Sequence, residues 1–275
     1  NNNTIVSVHD KKYFVRIPGK GSNELVDRRQ EYNTYLYLHQ VGLDVHTIFV
    51  GQDGLKITHY IENVRPANPE STNDVRYCMN ALRKIHEFNT NCKIMQNVKY
   101  FSLTANIDKY RELAHIRAKS PREDYEEVYN NCLQVASWIE RLNRECCLCH
   151  IDVNPDNMLF QGCSTDPTLI DWEYAGLQDP HLDVAMWAVY CRYDINEIDE
   201  LLNMYFQKKI DMETRYKIYG YCALAGLLWY NWCIYKQRLG INYGDYTTNQ
   251  FMFAKKYSNI VLSRLKSDER LDDKH

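Results

Sequence analysis

The sequence predicts an α+β fold in two parts, a small β-rich amino-terminal lobe over residues 1–62 and a larger, mostly helical lobe over residues 63–275. Three observations carry this reading. Up to residue 61, short runs of β-branched and aromatic residues alternate with polar turns. A connection with two prolines follows at Asn63–Thr72. Beyond it, apolar residues recur mainly at helical spacing.

Taken in order, Thr4–Val8 and Tyr13–Ile17 flank a polar turn at His9–Lys12 and read as a hairpin. Pro18-Gly19-Lys20-Gly21 breaks the second strand, and a helix is expected over Glu24–Val41, closed by Gly42. Ile48–Val50 and Leu55–Tyr60 form a second hairpin around Gly51-Gln52-Asp53-Gly54. Ser71-x-x-Asp74 can cap a helix running to about Phe88. Near Arg122–Arg144, Val128, Cys132, Val135, Ala136, Ile139 and Leu142 form one apolar stripe. An apolar strand around Cys147–Cys149 precedes two further short strands, Met158–Gln161 and Thr168–Ile170. Helices are expected over roughly Pro180–Tyr190, Ile195–Gln207, Met212–Arg238 and Tyr246–Leu265, with a frayed charged tail from Lys266.

Composition narrows the function. The net charge is −3 with Lys and Arg scattered, so nothing suggests a nucleic-acid or membrane-surface partner. The longest apolar run, around Cys222–Tyr230, is too short to span a bilayer, and no secretory signal is visible. Ten cysteines are irregularly spaced and mostly sit inside apolar segments, so they are expected to be reduced core residues of a cytoplasmic protein. Cys146-Cys147-x-Cys149-His150 invites a zinc reading, but it lacks a second ligand pair, and alternating strand residues are not expected to converge on one ion.

The most informative stretch is His150-x-Asp152-x-x-x-x-Asn157, followed after a short apolar run by Asp171. Phosphoryl transfer needs a carboxylate to take the attacking hydroxyl's proton and oxygen ligands to hold Mg²⁺ on the nucleotide phosphates. Asp152 fits the first task; Asn157 and Asp171 fit the second. His150 is expected to shape the loop. Upstream, Arg16 on its strand and Glu31 on the following helix match the cation–carboxylate pair with which kinases position the α/β-phosphates. A β-rich lobe, a linker and a helical lobe bearing this loop is the order of a two-lobed protein-kinase-like fold. Gly19-Lys20-Gly21-Ser22 is not a phosphate-binding P-loop, since Phe14 stands where the upstream glycine would be. The nucleotide-covering loop is expected before Thr4, with only Asn1–Thr4 left of it, so the lobe reads as truncated at its start.

Trp229 and Trp232 lie three apart on one helix face, with Tyr246 beyond a Gly-bearing turn. They are either core residues or walls of a cation–π cage for a quaternary ammonium. Trp187 is assigned to the core. Asp183 is expected to steady the catalytic loop rather than meet a cationic substrate.

Over nearly its whole length the chain resembles the choline/ethanolamine kinase family, of the bacterial choline kinase type with an aminoglycoside-phosphotransferase-like fold. The resemblance rests on Tyr13–Gly21 with Asp27-Arg28-Arg29-x-Glu31, His150–Asn157, Ile170-Asp171-Trp172-Glu173-Tyr174, Trp229-x-x-Trp232 and Gly244-Asp245-Tyr246. It implies transfer of the γ-phosphate of ATP to choline, giving phosphocholine, with Asp152 as base and Mg²⁺ on Asn157 and Asp171. It further implies Arg16 on phosphate and backbone groups of His59 and Ile61 on adenine. Trp229, Trp232 and Tyr246 would surround the trimethylammonium, with Asn154 and Glu173 also on the substrate. Ethanolamine, aminoglycoside or other small-alcohol kinases stay open as alternatives, as does a non-catalytic binder of quaternary amines. A serine/threonine protein kinase is disfavoured because no Ala-Pro-Glu follows Asp171.

Overall fold

The computed structural model describes residues 2–88, 97–116 and 122–272, with side chains up to residue 267. The chain forms two compact units, one of residues 1–101 and 146–183, the other of residues 102–145 and 184–275.

In the first unit, β1 (Asn2–Val8) and β2 (Lys11–Ile17) form the expected hairpin. Asn2–Thr4 therefore pair with Val15–Ile17 as strand rather than forming a covering loop, and Asn1 lies outside the described residues. The single helix expected at Glu24–Val41 is two, α1 (Ser22–Leu25) and α2 (Arg28–Gln40). The break has a local cause: Asp27 adopts an extended conformation and its side chain accepts the Gln30 N–H, so it caps a new helix. Next come β3 (Thr47–Val50) and β4 (Lys56–His59), which complete an antiparallel sheet in the order β1-β2-β4-β3. Its register sets Arg16 directly opposite Lys56. β5 (Val64–Pro66) lies where only a connection was expected, and α3 (Thr72–Glu87) begins at the Ser71 cap. Later in the chain, β6 (Cys147–Cys149) pairs with β9 (Gly176–Gln178). Between them in sequence, β7 (Met158–Gln161) joins β5 to β8 (Thr168–Leu169).

The second unit is helical. α4 (Leu103–Leu113) has no counterpart in the sequence reading, whereas α5 (Tyr125–Arg141) follows the expected stripe. α6 (His181–Cys191), α7 (Ile195–Phe206) and α8 (Met212–Arg238) match their expected positions. α9 (Asp245–Asp272) runs on through the region expected to fray from Lys266; residues 273–275 lie outside the described residues. From Lys217 to Tyr230 every residue of α8 is buried, as expected of a helix that neighbours cover all round. Asn231, also buried, accepts from Tyr125 Oη at 2.9 Å and donates to Ile107 O at 3.1 Å, which ties α8 to α5 and α4. α9 approaches α8 at Gly226, where a Cβ would stand 2.6 Å from the Gln250 carbonyl and 2.8 Å from the Ala254 nitrogen.

This geometry separates two glycines of one helix. Alanine gains about 1 kcal/mol of helix propensity at either position. At Gly220 the new Cβ meets only the side-chain tips of Val135 and Ile139, at 2.9 Å, and these can shift. At Gly226 it meets backbone. We expect Gly226→Ala to lose about 2 kcal/mol net by overpacking and Gly220→Ala to stay within about 1 kcal/mol of wild type, as read from urea unfolding midpoints.

Candidate active site

β6 delivers the chain into a loop held from behind by one carboxylate. Asp183 accepts the His150 N–H at 2.7 Å on Oδ2 and the Ile151 N–H at 2.8 Å on Oδ1, and Oδ2 also accepts from His86 Nε2 at 3.0 Å. The loop needs that hold. Ile151 has φ +71°, a left-handed conformation that a β-branched residue adopts only under strain of about 1–3 kcal/mol. The His150 ring donates from Nε2 to Ile170 O at 2.8 Å and meets Trp172 edge-on at 4.7 Å. Burial pushes its pKa down, so the ring is neutral and serves to brace the loop.

After Asp152, Pro155–Asn157 form one 3₁₀ turn capped by the Asn154 side chain, which accepts the Asn157 N–H at 3.2 Å. Asn154 Nδ2 also lies 3.4 Å from Asp152 Oδ1. Asn157 spends its Nδ2 on Asp152, donating to the backbone O at 2.9 Å and to Oδ2 at 3.1 Å. That fixes the amide so that its carbonyl oxygen is left for a cation. Asp171, itself at φ +63°, follows β8. Asn157 Oδ1 and the Asp171 carboxylate are hard oxygen donors of the kind Mg²⁺ requires.

Asp171 belongs to a buried cluster of three cations and three carboxylates. Arg16 pairs with Glu31 and donates from Nη1 to Asp171 Oδ1 and to Glu173 Oε2, both at 3.0 Å. Its Nη2 also donates to Gly54 O at 3.1 Å. Gly54 has φ +89°, and a Cβ there would stand 2.6 Å from Arg28 Nε, so the turn requires glycine. Arg28 donates from Nη1 to Glu31 Oε2 at 2.7 Å and to Glu173 Oε2 at 3.0 Å. Lys56 reaches Asp171 Oδ1 and the Tyr35 hydroxyl, each at 2.8 Å. Burial acts to raise the Asp171 pKa, but the charges of Lys56 and Arg16 outweigh it and hold the carboxyl well below the usual range. Glu173 moves the other way, because burial and the neighbouring Asp171 charge both push it up. Burial lifts the Tyr35 hydroxyl to about 12, so it stays protonated.

The cluster borders a cavity of about 360 Å³, whose lining includes Arg16, Lys56, Asn157, Asp171, His59 and Ile61. Within this unit, therefore, Arg16, Asn157, Asp171, His59 and Ile61 share one cavity. Glu31 and Glu173 join it through Arg16, and Asp152, His150 and Asn154 through Asn157 and the Ile170 carbonyl. Lys56 and Tyr35 were not singled out from the sequence, and Arg28 was named there only within the motif Asp27-Arg28-Arg29-x-Glu31, with no role of its own. Lys56 becomes legible only once β2 and β4 are known to pair, since residues directly opposite each other leave the sheet on the same face.

The three aromatic candidates lie in the helical unit. Trp229 and Trp232 have ring centroids 6.3 Å apart at an interplanar angle of 85°. Trp232 meets Tyr243 at 5.0 Å, Tyr243 meets Tyr246 at 6.4 Å, Tyr246 meets Tyr190 at 6.3 Å and Tyr190 meets Trp229 at 5.6 Å. The contacts thus close into a ring of five side chains, two of which, Tyr190 and Tyr243, sequence reasoning missed. The Lys236 ammonium, one turn further along α8, lies 5.4 Å from the Trp232 centroid.

One expectation needs correction. Cys147 and Cys149, two apart on β6, point the same way, with Sγ atoms 3.8 Å apart, and they converge with His86 so that all three ligand atoms lie within 4.8 Å. Burial nevertheless pushes the Cys149 thiol well up, and His86 Nε2 is engaged by Asp183.

A neutralised Arg–Glu pair on sheet and helix, an H-x-D-x-x-x-x-N loop and a following Asp171 beside a cavity define a kinase-like phosphotransferase. A family model described as "Phosphotransferase enzyme family" matches residues 1–219, and the chain belongs to that family. Protein LicA of Haemophilus influenzae is 28% identical over 278 residues, spanning 93% of this chain and 97% of its own length. The crystal structure of choline kinase LicA from Streptococcus pneumoniae is 28% identical with a TM-score of 0.78, covering 94% of this chain and 89% of that one. A crystal structure of LicA in complex with AMP is 27% identical with a TM-score of 0.80, covering 95% and 88%. The fold is kinase-like and the protein is a kinase. No helix among the described residues is long and apolar enough to cross a membrane.

Replacing Asp183 tests the brace. Asp183→Ala leaves two backbone N–H groups and His86 without their acceptor, so we expect a loss of about 3 kcal/mol or more in urea unfolding. Asp183→Asn, which keeps one acceptor oxygen, should lose less.

Proposed function

We propose that the chain is an ATP-dependent choline kinase that transfers the γ-phosphate to the choline hydroxyl and releases phosphocholine and ADP. The choline oxygen attacks the γ-phosphorus, the bond from that phosphorus to the β–γ bridging oxygen breaks, and the hydroxyl proton passes to Asp152. Asn157 orients that carboxylate through its Nδ2 bond, and Asn154 steadies it from the other side. Mg²⁺, held by Asn157 and Asp171, would neutralise charge on the phosphates. Arg16, locked by Glu31, is the fixed cation for the phosphates, and the backbone at His59 and Ile61 is assigned to adenine. Glu173, bonded to Arg16 and Arg28, and Asn154 are the polar groups assigned to the substrate side. Residues 1–62 thus carry nucleotide binding, and residues 63–275 carry catalysis and acceptor binding. The substrate is a small molecule, and we assign the reaction to the cytoplasm, the compartment that supplies a kinase with ATP.

The observation that carries choline over other alcohols is the closed ring of Trp229, Trp232, Tyr243, Tyr246 and Tyr190. A trimethylammonium offers no N–H, so it is held by aromatic faces rather than by acceptors. An aminoglycoside, with several ammonium groups, calls for several carboxylates instead. The likeness to choline kinase LicA supports the same acceptor.

With ATP, Mg²⁺ and a panel of amino alcohols, choline should give the highest kcat/KM; a preference for ethanolamine or kanamycin would refute the acceptor assignment. Trp229→Ala should raise the choline KM about 10-fold or more and leave the ATP KM unchanged, whereas equal effects would mean core damage. Asp152→Asn should lower kcat by about 10³, with choline affinity by calorimetry retained.

A further inference from the structure

We propose that Lys56 is a direct phosphate-binding cation of this kinase, and that Arg16 works beside it as a positioning residue. The inference rests on the kinase reading above, adds a residue that reading did not use, and moves direct phosphate contact from Arg16 to that residue.

The donor count leads there. Each terminal nitrogen of an arginine carries two N–H groups. Arg16 Nη1 is engaged by Asp171 and Glu173, and Nη2 by Glu31 and the Gly54 carbonyl. Its Nε is buried without a partner. Arg16 is 2% exposed, so all four terminal donors are committed to protein groups that hold it in place. It fixes Asp171 and Glu173, and its charge is spent within the cluster.

Lys56 differs in its donors. Its ammonium has three N–H groups, of which Tyr35 Oη and Asp171 Oδ1 take two at 2.8 Å. The third is left beside the cavity that Lys56 lines together with Asn157 and Asp171. Balancing Asp171 does not by itself explain its burial, because the same Oδ1 already accepts from Arg16 at 3.0 Å. Setting two cations directly opposite each other across β2 and β4 is unfavourable for the sheet itself. A lysine only 5% exposed, reaching an oxygen that Arg16 already reaches and lining the cavity with a donor to spare, fits a wall that receives negative charge from a ligand. A polyphosphate chain is that charge, and an ammonium is a compact point charge suited to it. Tyr35 fixes the direction of approach: its hydroxyl accepts from Lys56 and from the Trp172 N–H at 3.2 Å, so the ammonium is anchored at its base and aimed past Asp171.

The test separates binding from turnover. Calorimetry on the purified chain would compare a non-hydrolysable ATP analogue, with and without Mg²⁺, against adenosine, which shares the base and sugar but has no phosphate. Lys56→Met keeps the stem packed against Tyr35 and removes the charge. It should weaken the ATP analogue at least 10-fold in both conditions while leaving adenosine within about 2-fold. Lys56→Gln, which can still donate to Tyr35, should behave the same and serves if the methionine variant does not fold. Unchanged affinity for the analogue, or an equal loss for adenosine, would overturn the proposal. The analogue is bound whether or not choline is the acceptor, so a wrong acceptor leaves this result readable; a wild-type chain that binds no analogue overturns the kinase reading and this proposal together.

Discussion

Arg16, Arg28 and Lys56 can be buried only because Glu31, Asp171 and Glu173 meet them nitrogen for oxygen. Each ion costs several kcal/mol to remove from water, and a buried charge left without its partner costs about 3–5 kcal/mol. The six groups come from β2, α2, β4 and the segment after β8, with Arg16 and Asp171 separated by 155 residues. Much of the local structure of this unit follows from bringing them together. The Asp27 cap aims Glu31, the β2–β4 register sets Lys56 beside Arg16, and Gly54 turns its carbonyl onto the guanidinium. Each of the three carboxylates is shared by two cations, and Asp171, with 31% side-chain exposure, is the one of them that lines the cavity.

The catalytic loop answers a different constraint, strain rather than desolvation. Ile151 and Asp171 both occupy left-handed backbone, and each lies next to or at a group assigned to the chemistry. Asp183 supplies the compensation at Ile151 through two short N–H bonds. Asp152 and Asn157 are thus oriented by bonds within the protein, and substrate need not spend binding energy arranging them. In the helical unit the organising device is close packing: the approach of α9 to α8 at Gly226 lets Tyr246 and Trp229 enter one closed set of aromatic contacts through Tyr190.

Much of the fold was legible in the sequence. The strands of the first hairpin, the stripe of α5 and the bounds of α8 follow from periodicity and turn residues. The elements that escaped are short or weakly patterned. β5 and β9 have three residues each, too few for a period, and α4 carries its buried residues at Leu103, Ile107, Tyr110 and Arg111 among polar neighbours. The break between α1 and α2 was readable in the capping pattern at Asp27 but was overridden by the helical spacing on either side.

The site divides along the same line. By itself the sequence determined the reaction class, because a loop motif such as His150-x-Asp152-x-x-x-x-Asn157 is a property of one contiguous stretch whose offsets survive whatever else the chain does. Only the tertiary structure decided that Lys56 joins Arg16 on Asp171, that Tyr190 and Tyr243 close the aromatic ring, and that Cys147, Cys149 and His86 converge. Those groupings depend on which faces of distant elements pack together. Packing is chosen by the burial of whole faces and the pairing of every buried charge, and no local window of sequence contains that information.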